Sequence, residues 1–420
     1  MYIYFSTLGC KLNFTETSTL KRIAEEQGFC ITTNVEKANV IVVNTCTVTQ
    51  TADKKSRYTI RHLHKLNPKA KIIATGCYAE VEAETIQKIE GVSLVIGNQD
   101  KVKFSEFLTN TYSGVNNITT FFKAYSLGDR TRSFLKVQDG CNYFCSYCKV
   151  PFARGRSRNA AIKEIVQQAN EIVQHGVKEI VLTGINIGDF GQSTNETFID
   201  LLMSLEKETE CERYRISSVE PNLLTEEIID FVLSSNRFVP HFHIPLQSGS
   251  NELLKLMNRR YSTDLFVQRV EYIKKRNPLA AIGVDVIVGF PGETEQHFNQ
   301  TFNLIQQLDI SYLHVFEYSE RKGTKASLFQ GKVQEKIKKE RSLLLRKLSA
   351  EKYQQFALCN LQTTQEVLIE KRQKGTEMIG YTKNYLLVAL PFEKEKLNTV
   401  VLVRLLNWEP STETIKGMIV

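Results

Sequence analysis

The stretch Cys141-Asn142-Tyr143-Phe144-Cys145-Ser146-Tyr147-Cys148 sets three cysteines within one short loop. It follows a run of strand character at 134–138, and Gly140 allows the tight turn between the two. With nine cysteines in 420 residues, chance placement of such a triplet is expected in fewer than about one sequence in a hundred. Three thiolates this close do not complete a four-coordinate structural zinc site without a fourth ligand. A [4Fe–4S] cluster can take three cysteines and keep one iron open. The spacing points to cluster ligation, with zinc and a distant fourth ligand as the alternative.

Outward from this loop, residues 133–330 repeat a strand–helix unit. Strands are expected at 134–138, 179–183, 213–218, 241–245, 282–289 and 312–317, with helices between them such as 161–174 and 262–275. Six such units predict a TIM-like (βα)6 partial barrel with its chemistry at the C-terminal strand ends. A long charged helix over 334–357 follows. Residues 1–110 alternate in the same way, with strands at 2–7, 39–44, 70–75 and 93–96 and helices at 15–27, 52–66 and 80–88. That pattern predicts an open parallel sheet covered by helices. Residues 111–132, rich in Asn, Thr, Ser and Gly, read as a linker or surface loop. After 361, alternating runs at 366–370, 378–382, 385–390, 400–406 and 414–419 are separated by Gly375, Pro391 and Pro410. They predict a small all-β, OB-like barrel. The expected fold class is therefore α/β with three domains, at 1–115, 127–357 and 361–420.

Hydrophobic residues make up 42% and charged residues 24% of the chain, ordinary for a globular protein. The apolar runs are strand-length, far short of the ~20 residues that span a bilayer. Nothing at the N-terminus resembles a signal peptide, so a cytoplasmic location is expected. The net charge of +8 is clustered, in 53–71, in 149–163 and in 332–352, where eight Lys or Arg face three Glu. Solvated helix faces account for any one cluster, but three together favour a polyanionic partner. Arg341, Arg346 and Lys347 are the candidate phosphate contacts of the last one. In a cytoplasmic chain, metal or cluster ligation explains the cysteines better than disulfides do. Cys30, Cys211 and Cys359 stand alone and read as structural.

The remaining three cysteines share an address. Cys10 in Thr7-Leu8-Gly9-Cys10-Lys11-Leu12-Asn13, Cys46 in Asn44-Thr45-Cys46 and Cys77 in Thr75-Gly76-Cys77 each follow the C-terminal end of an expected strand. In an open parallel sheet those ends lie side by side and form the ligand crevice, so three thiolates can converge without a local motif. Unrelated buried cysteines are the bland alternative.

The 141–148 loop resembles the signature of the radical S-adenosylmethionine (radical SAM) superfamily. In that superfamily one open iron chelates the cofactor, and cleavage of its sulfonium yields a 5′-deoxyadenosyl radical. With the first cysteine set and the C-terminal β segment, the whole chain resembles the methylthiotransferases. Their domain order is an auxiliary-cluster domain, a radical SAM barrel and a TRAM barrel. Similar stretches include Pro151-Phe-Ala-Arg154-Gly155-Arg156, His243-Ile-Pro245-Leu-Gln247-Ser248-Gly249-Ser250 and Asp285-Val-Ile-Val-Gly289-Phe-Pro291-Gly292. Of three branches, Leu8-Gly9-Cys10-Lys11-Leu12-Asn13, Gly184-Ile-Asn186-Ile-Gly188-Asp189 and Ser217-Ser218-Val-Glu220-Pro221 look most like the one acting on threonylcarbamoyladenosine at position 37 of tRNA. The others act on isopentenyladenosine in tRNA and on an aspartate of a ribosomal protein.

The resemblance implies two [4Fe–4S] clusters, one on Cys10, Cys46 and Cys77 and one on Cys141, Cys145 and Cys148. It implies S-adenosylmethionine as both radical source and methyl donor. Tyr147, Thr183, Gly184, Asn186, Ser218, Gln247, Ser248 and Gly289 are the expected cofactor contacts, each with a bland alternative as core or turn. Arg154 could hold the cofactor carboxylate or an RNA phosphate. Implied partners are tRNA at its anticodon loop, a low-potential electron donor, and a sulfur or iron–sulfur source. Such chemistry suits C2 of adenine, whose unactivated C–H no side-chain base can deprotonate. The rival outside the enzyme class is an RNA-binding protein with structural metal sites, disfavoured because such sites are normally closed.

Overall fold

A computed structural model describes residues 1–109, 121–128, 130–374 and 376–420. Half of the expected linker, and the separator Gly375, lie outside the described residues. Residues 121–127 are not a loose connection: Phe122 and Ala124 are buried, and Tyr125 bridges Leu135.

The N-terminal sheet is parallel and has five strands, not four. Its order is Cys30–Ile31, Tyr2–Thr7, Val40–Thr45, Lys71–Gly76, Val92–Ile96. The unexpected strand is two residues long, too short to leave a periodic signal. Val40–Thr45, at the centre, is buried along its whole length, as a strand covered on both faces must be. Instead of one helix over 80–88, two short helices begin at Cys77 itself, Cys77–Val81 and Ala83–Gln87.

The central region has six parallel strands in sequence order, Ser133–Lys136, Glu179–Thr183, Arg213–Ile216, His241–Gln247, Ala281–Val288 and Tyr312–Glu317, and a short antiparallel pair, Gln138–Asp139 with Arg158–Asn159. Within each half all neighbours pair in parallel, and a single parallel bridge, Ser218 to His243, joins the halves. Side-chain N-caps start the intervening helices at Thr197, Thr225, Ser262 and Thr294. One apolar core runs between strands and helices through Leu182, Ile216, Ile244, Val284 and Val315. The charged helix spans Glu335–Cys359 and leads into a closed five-stranded barrel, Thr364–Lys374, Glu377–Thr382, Leu387–Pro391, Val400–Glu409 and Thr414–Ile419. No helix among the described residues is long and apolar enough to cross a membrane.

A buried ionic cluster ties the first sheet to the centre. Glu16 receives Lys101 at 2.5 Å, and Lys136 and Arg154 each at 2.8 Å; Arg154 also reaches Asp139 at 3.1 Å. Burial alone would raise both carboxyls. Arg154, Lys101 and Lys136 instead hold Glu16 well below its ordinary value, and Lys136 and Arg154 bring Asp139 down to about 2. A depressed carboxyl stabilises the fold above its unfolded value and loses that contribution as pH falls. Glu16→Gln should therefore cost about 3–5 kcal/mol at neutral pH, because it strands buried cations. Urea unfolding followed from pH 7 down to pH 3 should show the gap to wild type shrinking below the ordinary glutamate value of 4.5. A constant gap would remove the electrostatic explanation.

Candidate functional site

Strand register brings the first cysteine set together. Thr7 lies opposite Asn44, and Thr45 opposite Gly76, so three strand ends are level where Cys10, Cys46 and Cys77 leave the sheet. Gly9 has φ +102°, and a Cβ there would sit 2.8 Å from Cys46 Cβ and 2.9 Å from its Sγ. Only glycine leaves that space free. Burial, then the neighbouring Cys77 and Cys10 sulfurs, push the Cys46 thiol up to about 11. Burial also raises Cys77, whose Sγ accepts from Arg154 Nε at 3.2 Å and lies 3.8 Å from Asn98 Nδ2.

The second set lies on the loop after Gln138–Asp139. Gly140 turns it at φ +73°, where a Cβ would collide with the Arg156 carbonyl. Each sulfur accepts one N–H: Cys141 from Tyr143 N and Cys148 from Val150 N, both at 3.4 Å, and Cys145 from Arg259 Nη1 at 3.1 Å. Burial pushes Cys141 up to about 11 and Cys148 up to about 12. Such thiols ionise only when cationic metal replaces their protons.

Cys10 of the first set and all three cysteines of the second line one cavity of about 800 Å³, walled by Thr183 and Ile216 at the C-terminal ends of two central strands and by His241, His243, Asp285, Tyr312 and His314 from the starts and middles of the last three. Cys46 and Cys77, behind Cys10, are buried and do not line it. Tyr147, Thr183, Gly184, Asn186 and Ser218 also line it. Tyr147 packs edge-on against Phe290 at 6.2 Å. Gln138 Oε1 accepts the backbone N–H groups of Ile185 and Asn186 at 3.0 and 2.9 Å, fixing the turn after Glu179–Thr183. Asn186 is 4% exposed, yet neither polar atom of its side chain has a protein partner. An amide buried in this state suits a polar ligand.

The residues fit clusters better than a single ion. A tetrahedral zinc with bonds of 2.3 Å requires sulfurs about 3.8 Å apart. Among the described residues only His243, Asp285 and His314 bring three ligand-type atoms within 4.8 Å of one another. Those three are already joined by hydrogen bonds to Asp285 Oδ1, at 2.8 Å from His243 and 3.2 Å from His314. The wider cysteine triplets, bordered by N–H donors and an open cavity, suit a larger multi-iron group.

Four expected cofactor contacts lie elsewhere. Arg154 is 1% exposed and is committed to Glu16, Asp139, Asn13 and Cys77, so it faces neither a cofactor carboxylate nor RNA. Ser248 is buried against Thr301, and Gln247 sits at a strand irregularity with φ +64°. Gly289 lines a separate 580 Å³ cavity beside Lys338, and its N–H donates to Glu293. Of the candidate phosphate contacts, Arg341 is also turned inward, paired with Glu293 at 2.5 Å. Lys54, Lys55, Arg61 and Lys65 of the first basic cluster do remain exposed.

Comparison with known proteins identifies the family. Residues 2–97 match the uncharacterized protein family UPF0004, and residues 135–305 match the radical SAM superfamily. The chain is 39% identical to the threonylcarbamoyladenosine tRNA methylthiotransferase MtaB of Bacillus subtilis, over 96% of this chain and 94% of that protein. The Aquifex aeolicus MtaB is 38% identical, over 85% and 90%. The chain belongs to the radical SAM tRNA methylthiotransferases. A tRNA-2-methylthio-N(6)-dimethylallyladenosine synthase of Alkaliphilus oremlandii is 34% identical, over 99% and 92%. Among solved structures, the radical S-adenosylmethionine methyltransferase TsrM of Kitasatospora setae superimposes with a TM-score of 0.56 at 14% identity, covering 75% of this chain and 74% of that one. That likeness concerns the fold alone.

Sequence reasoning missed part of the methylthiotransferase cavity. Tyr385, from the C-terminal barrel, lines it together with Arg132, Arg215, His241 and Tyr312. Tyr385 has φ +69°, stacks on Tyr381 at 4.8 Å, and meets Arg215 at 4.7 Å and Arg132 at 5.5 Å. No local signal marks it, because its partners come from distant strands. The His243, Asp285 and His314 group was within reach, since two of the three lie in stretches that carried the family resemblance.

Proposed function

We propose that this methylthiotransferase replaces the C2 hydrogen of N6-threonylcarbamoyladenosine 37 in tRNA with a methylthio group. The observation that carries it is that Cys10 of the first triplet and all of Cys141, Cys145 and Cys148 line one cavity. Cys10, Cys46 and Cys77 would hold an auxiliary [4Fe–4S] cluster, and Cys141, Cys145 and Cys148 the radical SAM cluster. Bound there, the clusters and S-adenosylmethionine would supply an electron, a carbon radical, sulfide and a methyl group.

The chain's own residues would bind, orient and shield. Arg259, paired with Glu220 and donating to Cys145, fixes the cluster loop from the opposite wall. The turn held by Gln138 presents Thr183, Gly184 and the unpartnered Asn186 amide to the polar end of the cofactor. Tyr147, backed by the buried Phe290, gives its adenine an aromatic seat. The two-sided cavity places one flipped-out base between both sulfur sets and keeps bulk water away.

The six parallel strands with their helices are read as a (βα)6 partial barrel, and the C-terminal barrel as a TRAM-like RNA-binding module. Domain limits near 1–115, 127–357 and 361–420 follow from that reading, and so does a cytoplasmic setting. A low-potential electron donor and a sulfur or iron–sulfur source are the remaining expected partners. The second reading, dimethylallyladenosine as substrate, rests on the synthase from Alkaliphilus oremlandii. Mass spectrometry of tRNA nucleosides from cells with and without the gene separates the two. Loss of the methylthio form of threonylcarbamoyladenosine, with its unmodified parent accumulating, is expected. Loss of the methylthio dimethylallyl nucleoside alone would overturn the reading.

A further inference from the structure

The cavity's charges are unevenly matched. Five cations line it, Lys11, Arg130, Arg132, Arg215 and Arg259, against two carboxylates, Glu220 and Asp285. Both carboxylates are engaged, Glu220 by Arg259 and Asp285 by His243 and His314. Arg132 is held by Glu370 at 2.9 Å and Arg215 by Glu179 at 2.8 Å. Among the described residues, neither Lys11 nor Arg130 forms an ion pair, and both are exposed, although Asp285 acts on Lys11 through space.

Both line the same cavity. Lys11 opens the helix Lys11–Glu26, and Phe14 stands one turn further on the same side. The Arg130 guanidinium lies 4.7 Å from the Phe14 ring centroid and 5.9 Å from that of Phe134. Arg130 therefore rises over the helix turn that Lys11 begins. A cation at a helix N-terminus opposes the positive end of the dipole, and this first turn holds no acid to offset it. A break in local charge rules with no internal compensation marks a place for an external anion.

We infer that Lys11 and Arg130 form a carboxylate subsite for the threonyl group on N6 of the substrate base. The inference rests on the threonylcarbamoyladenosine reading and deepens it. That substituent ends in a carboxylate, whereas a dimethylallyl group is wholly apolar and gives two cations nothing to bind. An ammonium and a guanidinium lining one cavity suit a carboxylate through charge-assisted hydrogen bonds. The pair would determine which N6 substituent the cavity accepts, by leaving desolvated cations unpaired when the wrong one enters.

The test uses the full chain with both clusters reconstituted. The probes are fluorescent anticodon stem-loops carrying threonylcarbamoyladenosine, its neutral carboxamide, or dimethylallyladenosine. Dissociation constants come from anisotropy, and KM for methylthiolation is measured alongside. Wild type should favour carboxylate over carboxamide by roughly tenfold or more. Lys11→Met and Arg130→Met should each reduce that ratio, the double variant should bring it to about one, and Lys11→Arg should retain it. An unchanged ratio in the double variant would overturn the subsite. So would equal loss on both RNAs together with lost iron, which would mean that the cations serve only the adjacent cluster. Wild type that modifies carboxylate and carboxamide RNA equally removes the subsite and keeps the substrate reading. Wild type that modifies only the dimethylallyl RNA removes both.

Discussion

Replacing Cys141, Cys145 and Cys148 together with alanine is expected to abolish reductive cleavage of S-adenosylmethionine and to remove about half of the protein's iron and sulfide. The wild type should carry about eight of each after anaerobic reconstitution, four for each three-cysteine site. The effect should be all-or-none because the loop is built around its sulfurs. Each accepts one N–H, and Arg259 reaches Cys145 from across the cavity. The three alanines would leave those N–H groups without an acceptor and any cluster iron without a ligand. The loop therefore has no partial function to fall back on. Iron and sulfide analysis, with chromatography for 5′-deoxyadenosine, checks the outcome. Stoichiometric zinc with little iron in the anaerobic wild type would contradict it.

The complementary replacement of Cys10, Cys46 and Cys77 should divide the chemistry. Cleavage to 5′-deoxyadenosine should continue, because the 141–148 loop is covalently intact. Methylthio product should disappear, because the sulfur-bearing site is gone. The two sites are coupled structurally through Arg154, which follows one loop and donates to Cys77 of the other set. Losing Cys77 leaves Arg154 its ion pairs with Glu16 and Asp139, so the fold should survive. Product mass spectrometry and cofactor cleavage should be read on the same sample. Methylthio product from this variant would show that the first cysteine set is not the sulfur site.

Much of this arrangement was legible because its signals are local or periodic. The 141–148 triplet is fixed by spacing, and Cys10, Cys46 and Cys77 by position after parallel strands whose register levels their ends. What failed was direction. A run of arginines beside a cluster loop does not say where each one points. The short helix Val150–Arg154 turns Arg154 toward Glu16, 138 residues away in sequence. Likewise Arg341 lies on the inner face of a 25-residue helix, whereas Arg346 and Lys347 are exposed. Phe144 shows the converse. In the cluster loop it takes φ +50°, is 39% exposed and meets the exposed Phe152 edge-on, none of which the loop's spacing shows. Tyr385 could not be foreseen, since its place in the cavity depends on how the C-terminal barrel seats against Arg132 and Arg215.

The central claim is that two sulfur-ligated sites serve one base in one cavity, with the cofactor used in two ways. Turnover stoichiometry tests it most directly. Purified, reconstituted protein is given a stem-loop carrying threonylcarbamoyladenosine, S-adenosylmethionine and a reductant, and all products are quantified. The account predicts equal amounts of 5′-deoxyadenosine, S-adenosylhomocysteine and methylthio nucleoside. Methylthio nucleoside formed without matching S-adenosylhomocysteine, or both cofactor products formed with no change in the RNA, would contradict it.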